Sequence, residues 1–591
     1  MAMSASPLKL VVSDEKHGDL KLFSSQGRKH GGWRTMPYIL GNETFERLAT
    51  FGLVANFMVY LRLRYHMNQV SATNLINIWF GITNFSPLLG AFLSDAYIGR
   101  FYAIAIGSFA SFFGMLTLTL TAWLPSLQPQ CTVQQELQAQ CSGPNSTQLG
   151  ILILGLCFLS IGTGGIRPCS IPFGVDQFDH TSDEGRRGIN SYYNWYYTTF
   201  TLALLFTVTA VVYIQNSVSW VLGFGIPTIL MFSSIVVFFL GTKFYVHVAP
   251  EGSIFSSIAQ VFVAAYKKRR LNLPSEDKVE AYLYDPPVNS VLASKLPLTN
   301  EYRRLNKSAI IEGGDLDKDG SPSNKWRLCS IQQIEEVKCL LRVLPIWASG
   351  IICFTAVAQQ GTFIVSQALA MDRHIGPNFQ IPPGSLGIFS LITIGIWVPI
   401  YDTYLVPYMR KIMKHEEGIS LLQRIGIGLI FSIISMVVAG LIEQKRRDTS
   451  NSIHVGHPAA PLSVLWLAPQ LILLGFAEAF NFIGQIEFYN KQFPENMRSI
   501  ATSLFFCTIA GANYLSSLIV SLVHGLSGRN GKHDWLTDDI NQGRIDYFYY
   551  LLAGLGVINF VYFVTAAMKY KYKKIEIVGV GKYNDVELSL S

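Results

Sequence analysis

Three ionisable residues, Glu43, Glu46 and Arg47, stand in the first half of TMPYILGNETFERLATFGLVANFMVYL, residues 35–61. The stretch is otherwise apolar and long enough to cross a bilayer as a helix. A charge at membrane depth costs at least ~2.5 kcal/mol even on insertion scales, so such residues are expected to face a bundle interior or a watery cavity. Their spacing puts all three on one helical face, where Arg47 can bridge back to either carboxylate. Two carboxylates this close repel each other when both are ionised, which suits the face to taking up and releasing a proton. The competing reading is a static buried salt bridge, which seldom offsets its own desolvation.

Arg167 lies inside a second apolar run, in SIGTGGIRPCS. A permanent cation there needs a carboxylate or an anionic substrate, and Glu43 or Glu46 is its expected partner. Gly162, Gly164 and Gly165 in the same run make a smooth face against which another helix can pack closely. Between two runs, GAFLSDAYIGR offers Asp95 and Arg100, which can clamp helix ends at one membrane face. A fixed turn and a gate that breaks as two halves rock fit these residues equally. Tyr192, Tyr193, Trp195, Tyr196 and Tyr197 read first as interfacial anchors and packing, and second as cavity lining.

These residues have to be held by membrane helices. Of 591 residues half are hydrophobic and only 14% are charged, which sets the chain apart from ordinary soluble proteins. Apolar stretches near 36–61, 72–94, 102–124, 150–171, 189–212 and 219–241 predict six spans. Six more are predicted near 339–360, 384–406, 422–442, 462–487, 499–524 and 547–568, giving an all-α membrane protein of twelve transmembrane helices. The divisions are a tail (1–34), a six-helix bundle (35–241), a linker (242–338), a second six-helix bundle (339–568) and a second tail (569–591). The N-terminal tail is polar and lacks the apolar core of a cleavable signal.

The net charge of +7 does not argue for nucleic acid, because Lys and Arg gather in the connections. The loop 125–149 contains neither, whereas 242–338 contains KKRR at 267–270, Arg303, Arg304, Lys307, Lys325 and Arg327. The positive-inside rule therefore makes the tails and the linker cytoplasmic. Lys445, Arg446 and Arg447, in the connection 443–461, run against it.

Cys131 and Cys141 fall in the cation-free loop, where an oxidising compartment would permit a disulfide. Asn145-Ser146-Thr147 on the same side matches a glycosylation acceptor, close to the next span. The linker opens with IFSSIAQVFVAAYKKRR (254–270), expected as an amphipathic helix on the inner membrane surface. It continues through GGDLDKDGSPSNK, which reads as a mobile connection without calcium-loop spacing. His454 and His457 lack completing ligands, so no metal is expected, and neither a nucleotide-binding P-loop nor a catalytic nucleophile constellation is evident.

Seven motifs, NETFER, GAFLSDAYIGR, GTGGIRPCSIPFGVDQFD, YYNWYY, LPIWASG, QFPENMRS and NQGRIDYFYY, occur in the order found in the plant nitrate/peptide transporter family. The chain resembles that family over nearly its whole length, as part of the proton-dependent oligopeptide branch of the major facilitator superfamily. The long insert is typical of its plant members. The stretches GLCFLSIGTGGIRPCSIPFGVDQFD and EGSIFSSIAQV are most similar to the subfamily with phloem nitrate and glucosinolate transporters.

The resemblance implies a proton-coupled symporter with two six-helix halves around a central cavity. Its partners would be protons, a small-molecule substrate and the lipid bilayer, with no cofactor and no enzymatic activity. It implies proton coupling at Glu43, Glu46 and Arg47, and at Arg167, where the family usually carries Lys. Glu478 matches the acidic position that meets the substrate amino terminus in peptide carriers. The Tyr-rich stretch that follows E-x-x-E-R in those carriers is here Leu48, Ala49, Thr50 and Phe51, which disfavours peptides. Val357 stands where family members known for nitrate can carry His, so anion charge would be met by Arg47 or Arg167. Ala103 replaces a common Thr, and Tyr401-Asp402-Thr403 replaces Tyr-Asp-Arg. Low-affinity nitrate transport is the first substrate expectation, and a larger glycoside, alkaloid or hormone the second. The plasma membrane is the expected location, with the vacuolar membrane as the alternative.

Overall fold

The computed structural model describes residues 31–131, 141–179, 182–248, 254–273, 282–286, 296–376, 379–413, 419–451, 460–494, 497–529 and 534–572. Its first half contains α1 (Met36–Leu63), α2 (Gln69–Leu93), α3 (Arg100–Trp123), α4 (Ser146–Val175), α5 (Asp183–Phe206) and α6 (Trp220–Leu240). The linker contributes α7 (Ile254–Lys267). The second half follows with α8 (Ile331–Leu369), α9 (Ile388–Ile400), α10 (Val406–Met413), α11 (Leu421–Asn451), α12 (Ala468–Gln492), α13 (Arg498–Ser527) and α14 (Ile545–Lys569). Short two-stranded pairings join the connections, among them Met371–Asp372 with Ala460–Ser463.

Among the described residues, eleven helical runs are long and apolar enough to span a membrane, with α9 and α10 merged into Pro383–Ile412. By length α1, at 28 residues, is the twelfth span; it carries Glu43, Glu46 and Arg47, falls outside that apolar set, and stays in the bundle by packing against α5 and α6.

Local chemistry sets the starts of these helices. Asn68 accepts from Ser71 N–H at 2.7 Å to cap α2, and Asn145 and Ser330 form reciprocal capping boxes with Gln148 and Gln333 on α4 and α8. Wide π-type turns interrupt three spans, at Ser94–Ile98 after α2, at Thr207–Val211 and Ile214–Val218 after α5, and at Tyr401–Leu405 between α9 and α10. Pro399, inside α9, removes a backbone donor just before the last of these. The glycine face of α4 packs as expected: a Cβ on Gly90 of α2 would strike the carbonyl of Gly164, and one on Gly107 of α3 would crowd Gly162 and Gly165. Cys131 and Cys141 are bonded, with Cα atoms 5.3 Å apart.

Among the described residues the two halves are joined at one end. At the end that carries the disulfide, one buried apolar cluster runs across both, from Phe57, Tyr60 and Trp79 to Ile364, Leu471 and Leu474. There Arg62 reaches Asp538 at 3.1 Å, Asn77 bonds Ser516 at 2.9 Å, and Ser366 bonds Gln69 at 2.7 Å. At the linker end each half keeps its own cluster, around Phe173, Tyr192 and Phe238 in the first and around Ile346, Phe488 and Met497 in the second.

Two expectations are corrected. The helix α11 continues to Asn451, so Lys445, Arg446 and Arg447 are helical rather than in a loop. Their charges are met locally: Arg446 by Glu443 at 2.8 Å, Arg447 by Asp546 at 3.5 Å, and Lys445 by the Trp466 ring at 3.5 Å. Arg446 and Arg447, paired in this way, are not the free charges that determine topology. The linker is also no loose tether after α7. Residues 296–330 fold around Leu305, Ala309, Ile310 and Cys329 and seat against Ile331, Ile334 and Val337 of α8. That helix, 39 residues and therefore about 58 Å long, overshoots a hydrocarbon core of roughly 30 Å and gives the linker its support.

Candidate proton and substrate site

The charged face of α1 meets α4 and α5 inside the first half. Glu43 is buried and accepts from Arg47 Nε at 2.7 Å. Tyr196 of α5 completes a triangle: its hydroxyl donates to Glu43 Oε1 at 2.9 Å and lies 2.5 Å from Arg47 Nη2. The guanidinium of Arg47 also sits 4.5 Å from the centre of the Phe200 ring, so its remaining surface is covered by an aromatic face.

One turn on, Glu46 is fully buried and meets α4 where Glu43 meets α5. Its Oε1 accepts from Thr50 at 2.8 Å and from Thr163 of α4 at 3.2 Å. Its Oε2 has no hydrogen-bond partner and lies 4.0 Å from Nε of Arg167, which has none either. Arg167 reaches this position from a helix weakened at the next residue. Pro168 cannot donate to the Gly164 carbonyl, which is the atom against which Gly90 packs.

Glu43, Glu46, Arg47 and Arg167 thus form one cluster in which a carboxylate oxygen on each glutamate and Nε of Arg167 are buried without partners. Unsatisfied polar atoms at this depth cost free energy unless something else engages them during the working cycle.

Glu478, on α12, is not part of this cluster. It is half-buried, and among the described residues no hydrogen bond or ion pair reaches it. Its neighbours in sequence, Phe476 and Phe480, stack against Phe431 at 5.3 and 5.8 Å. Val357 of α8 is partly buried and packs against both the cluster shared by the two halves and the cluster of the second half. Asp95 and Arg100 are 3.6 Å apart at the linker end, and Arg100 is gripped more tightly by Asp176 at 2.6 Å. All three lie in the first half. Among the described residues no group of His, Cys, Asp and Glu is placed to hold a metal, while His454 and His457 lie outside those residues.

Reading the sequence missed three contributors. Tyr196 was visible as one of five clustered aromatics, but its role depends on α5 packing beside α1. Thr163 sits in the glycine run and Asp176 in GVDQFD, and neither carries a local signal of its partner.

The model of the POT family (PTR2) matches residues 101–536. The chain is 58% identical over 549 residues to Protein NRT1/PTR FAMILY 2.13 of Arabidopsis thaliana, covering 92% of this chain and 88% of that protein. It is 55% identical over 546 residues to Protein NRT1/PTR FAMILY 2.12 of the same plant, covering 92% and 93%. Its structure is similar to that of an auto-inhibited POT family peptide transporter, with a TM-score of 0.66 at 20% identity, covering 91% of this chain and 97% of the other. The POT family transporter PepTSo gives 0.62 at 19%, covering 91% and 98%. The two joined six-helix halves are the major facilitator arrangement these structures share.

Proposed function

The chain belongs to the POT family of proton-dependent transporters, in its plant NRT1/PTR branch, and from that premise we propose a proton-coupled symporter working by alternating access, with nitrate as its first substrate. The observation that carries the coupling step is Glu46: fully buried, held by Thr50 and Thr163, with its free oxygen facing the unpaired Nε of Arg167. A proton on Glu46 removes the attraction that holds Arg167, and an anion then takes that cation. Glu43 and Tyr196 keep Arg47 in place meanwhile. The joined disulfide end and separate linker end correspond, under the positive-inside topology, to a cavity open to the cytoplasm, and return requires the halves to rock. Asp95 and Arg100 act as a gate element at that inner end.

A second substrate class is favoured by one feature. The helix that carries Glu478 is rich in aromatic contacts, with the Phe482 and Phe505 rings 4.4 Å apart and Trp397 5.1 Å from Phe476. A cavity bordered by such rings would suit the body of a larger plant metabolite, a glycoside or hormone, better than nitrate. The family is one of transporters, not an enzyme class. Placement in the plasma membrane is the working assignment, with the vacuolar membrane as its competitor.

Uptake in oocytes at acidic and neutral external pH, offering nitrate beside a panel of glycosides and hormones, tests the proposal. Acid-stimulated uptake of one substrate, lost in Glu46→Gln, is the expected result and identifies the cargo. Ligand binding without sustained substrate-induced current would instead indicate a sensor. Currents indifferent to pH and to Glu46 would indicate a channel.

A further inference from the structure

The linker helix α7 has two apolar faces: one is packed into the linker core, and the other is packed at Phe255 and exposed from Phe262 onward. Val261 and Ala264 pack into the linker core, Ser257 bonds Gln333 of α8 at 2.9 Å, and Lys268 is buried against Asp315 at 2.8 Å. On the opposite side Phe255, Phe262, Val263 and Tyr266 follow one another at helical spacing. Phe262, Val263 and Tyr266 are 44%, 37% and 67% exposed. Phe255, at the head of this stripe, touches Phe92 at the linker end of α2, with ring centres 6.3 Å apart. The stripe therefore begins where a membrane span ends and runs outward from it.

Its far end is cationic. Lys267, Arg269 and Arg270 are exposed, and the Arg269 guanidinium lies 4.1 Å from the centre of the Tyr266 ring. The turn carrying Arg303 and Arg304 is tied to the same spot by Lys307, which donates to the Arg269 carbonyl at 2.9 Å. Among the described residues none of these cations has an acidic partner, because Asp315 and Glu312 are taken by Lys268 and Arg327. A contiguous aromatic stripe beside five or more unneutralised cations, at the level of a helix end, is complementary to an anionic lipid surface.

We propose that α7 docks the linker on the inner leaflet through anionic lipid headgroups. Phe262, Val263 and Tyr266 enter the interfacial region, and Lys267, Arg269, Arg270, Arg303 and Arg304 bind the phosphates. Since the linker core is seated on α8, the contact fixes the second half relative to the membrane plane.

The test uses the full-length protein in nanodiscs of phosphatidylcholine alone or with phosphatidylserine, read by hydrogen exchange over 255–270. Anionic discs should slow exchange there by about fivefold or more relative to neutral discs. The triple variant Lys267→Gln, Arg269→Gln, Arg270→Gln should lose that difference while keeping the thermal midpoint of the wild type. Phe262→Ser with Tyr266→Ser, which keeps every charge, should lose most of it as well. Exchange indifferent to lipid charge in the wild type would overturn the proposal and point to the first half as the occupant of the stripe. Equal protection in neutral discs from soluble inositol hexakisphosphate would overturn it too, since the site would then take free phosphates rather than a surface.

Discussion

Each half of the protein buries a glutamate–arginine pair, and the two pairs differ in how completely they are satisfied. In the second half Glu443 and Arg446, both essentially inaccessible, are joined at 2.8 and 2.9 Å. Gln367 donates to Glu443 at 2.8 Å, and Arg446 donates to Asn541 at 2.7 Å. Neither side chain leaves a buried polar atom unpartnered. In the first half Glu46 and Arg167 barely touch at 4.0 Å, and the facing atom on each is orphaned. A closed network specifies a structure, whereas an open one is an incomplete structure that a proton and a substrate can complete.

The largest separation between the two should come from neutralising one carboxylate in each. Glu46→Gln should reduce acid-driven uptake by more than about tenfold, in line with losing a proton-transfer group, with the amount of folded protein at the membrane unchanged. Glu443→Gln should do the reverse, because it leaves Arg446 buried without its counter-charge, at a cost of roughly 3–5 kcal/mol. The folded yield and thermal midpoint should fall, while uptake per folded molecule is kept. If Glu443→Gln abolished uptake in well-folded protein, the contrast between the pairs would collapse.

A double replacement tightens the contrast. Glu443→Leu with Arg446→Met removes both charges at similar volume and should recover most of the midpoint lost in Glu443→Gln, since a buried pair replaced by apolar groups is often neutral or stabilising. The matching Glu46→Leu with Arg167→Met should fold and remain inactive. Thr163→Val is gentler. It removes one of two hydroxyl donors to Glu46 Oε1 and leaves Thr50 in place, so uptake should fall a few-fold, consistent with the ~1.5–3 kcal/mol of a hydrogen bond to a charged group being partly retained. Uptake equal to wild type across the pH range would remove Thr163 from the site.

How much of this was legible in the sequence follows from what each signal depends on. Glu43, Glu46 and Arg47 were readable because charge inside an apolar run is anomalous on one helix alone, and their shared face follows from its pitch. The glycine face of α4 was readable for the same reason. The POT membership confirmed the resemblance carried by the seven motifs. The satisfied pair was not readable: Glu443 and Arg446 are three residues apart, yet their neighbours Lys445 and Arg447 made the segment look like a connection. Only the tertiary partners Gln367, Asn541, Asp546 and Trp466 explain why a helix can carry those charges. The linker failed similarly, because a composition rich in Asp, Gly and Ser reports turns and cannot report that Ile310 and Leu305 meet Ile334.

That linker holds a further buried pair, Lys268 with Asp315 at 2.8 Å, and it lies outside the spans. Burial works to raise the Asp315 carboxyl, but the hydrogen bond from Lys268, the Glu312 N–H and the charge of Arg327 outweigh it and hold the group below its usual value. A carboxyl with a depressed folded value contributes stability that is fully present above its unfolded value, about 3.9, and is lost as pH falls through the folded one. Between pH 8 and 5 the Asp315 carboxyl should therefore contribute almost no pH dependence. Hydrogen exchange over residues 305–329, corrected for the intrinsic rate, should be the same at both ends of that range. Any acid stimulation of transport then has to originate elsewhere than at this pair. Loosening of 305–329 by pH 5 would instead give the linker a share in the pH response and weaken the assignment of coupling to Glu46.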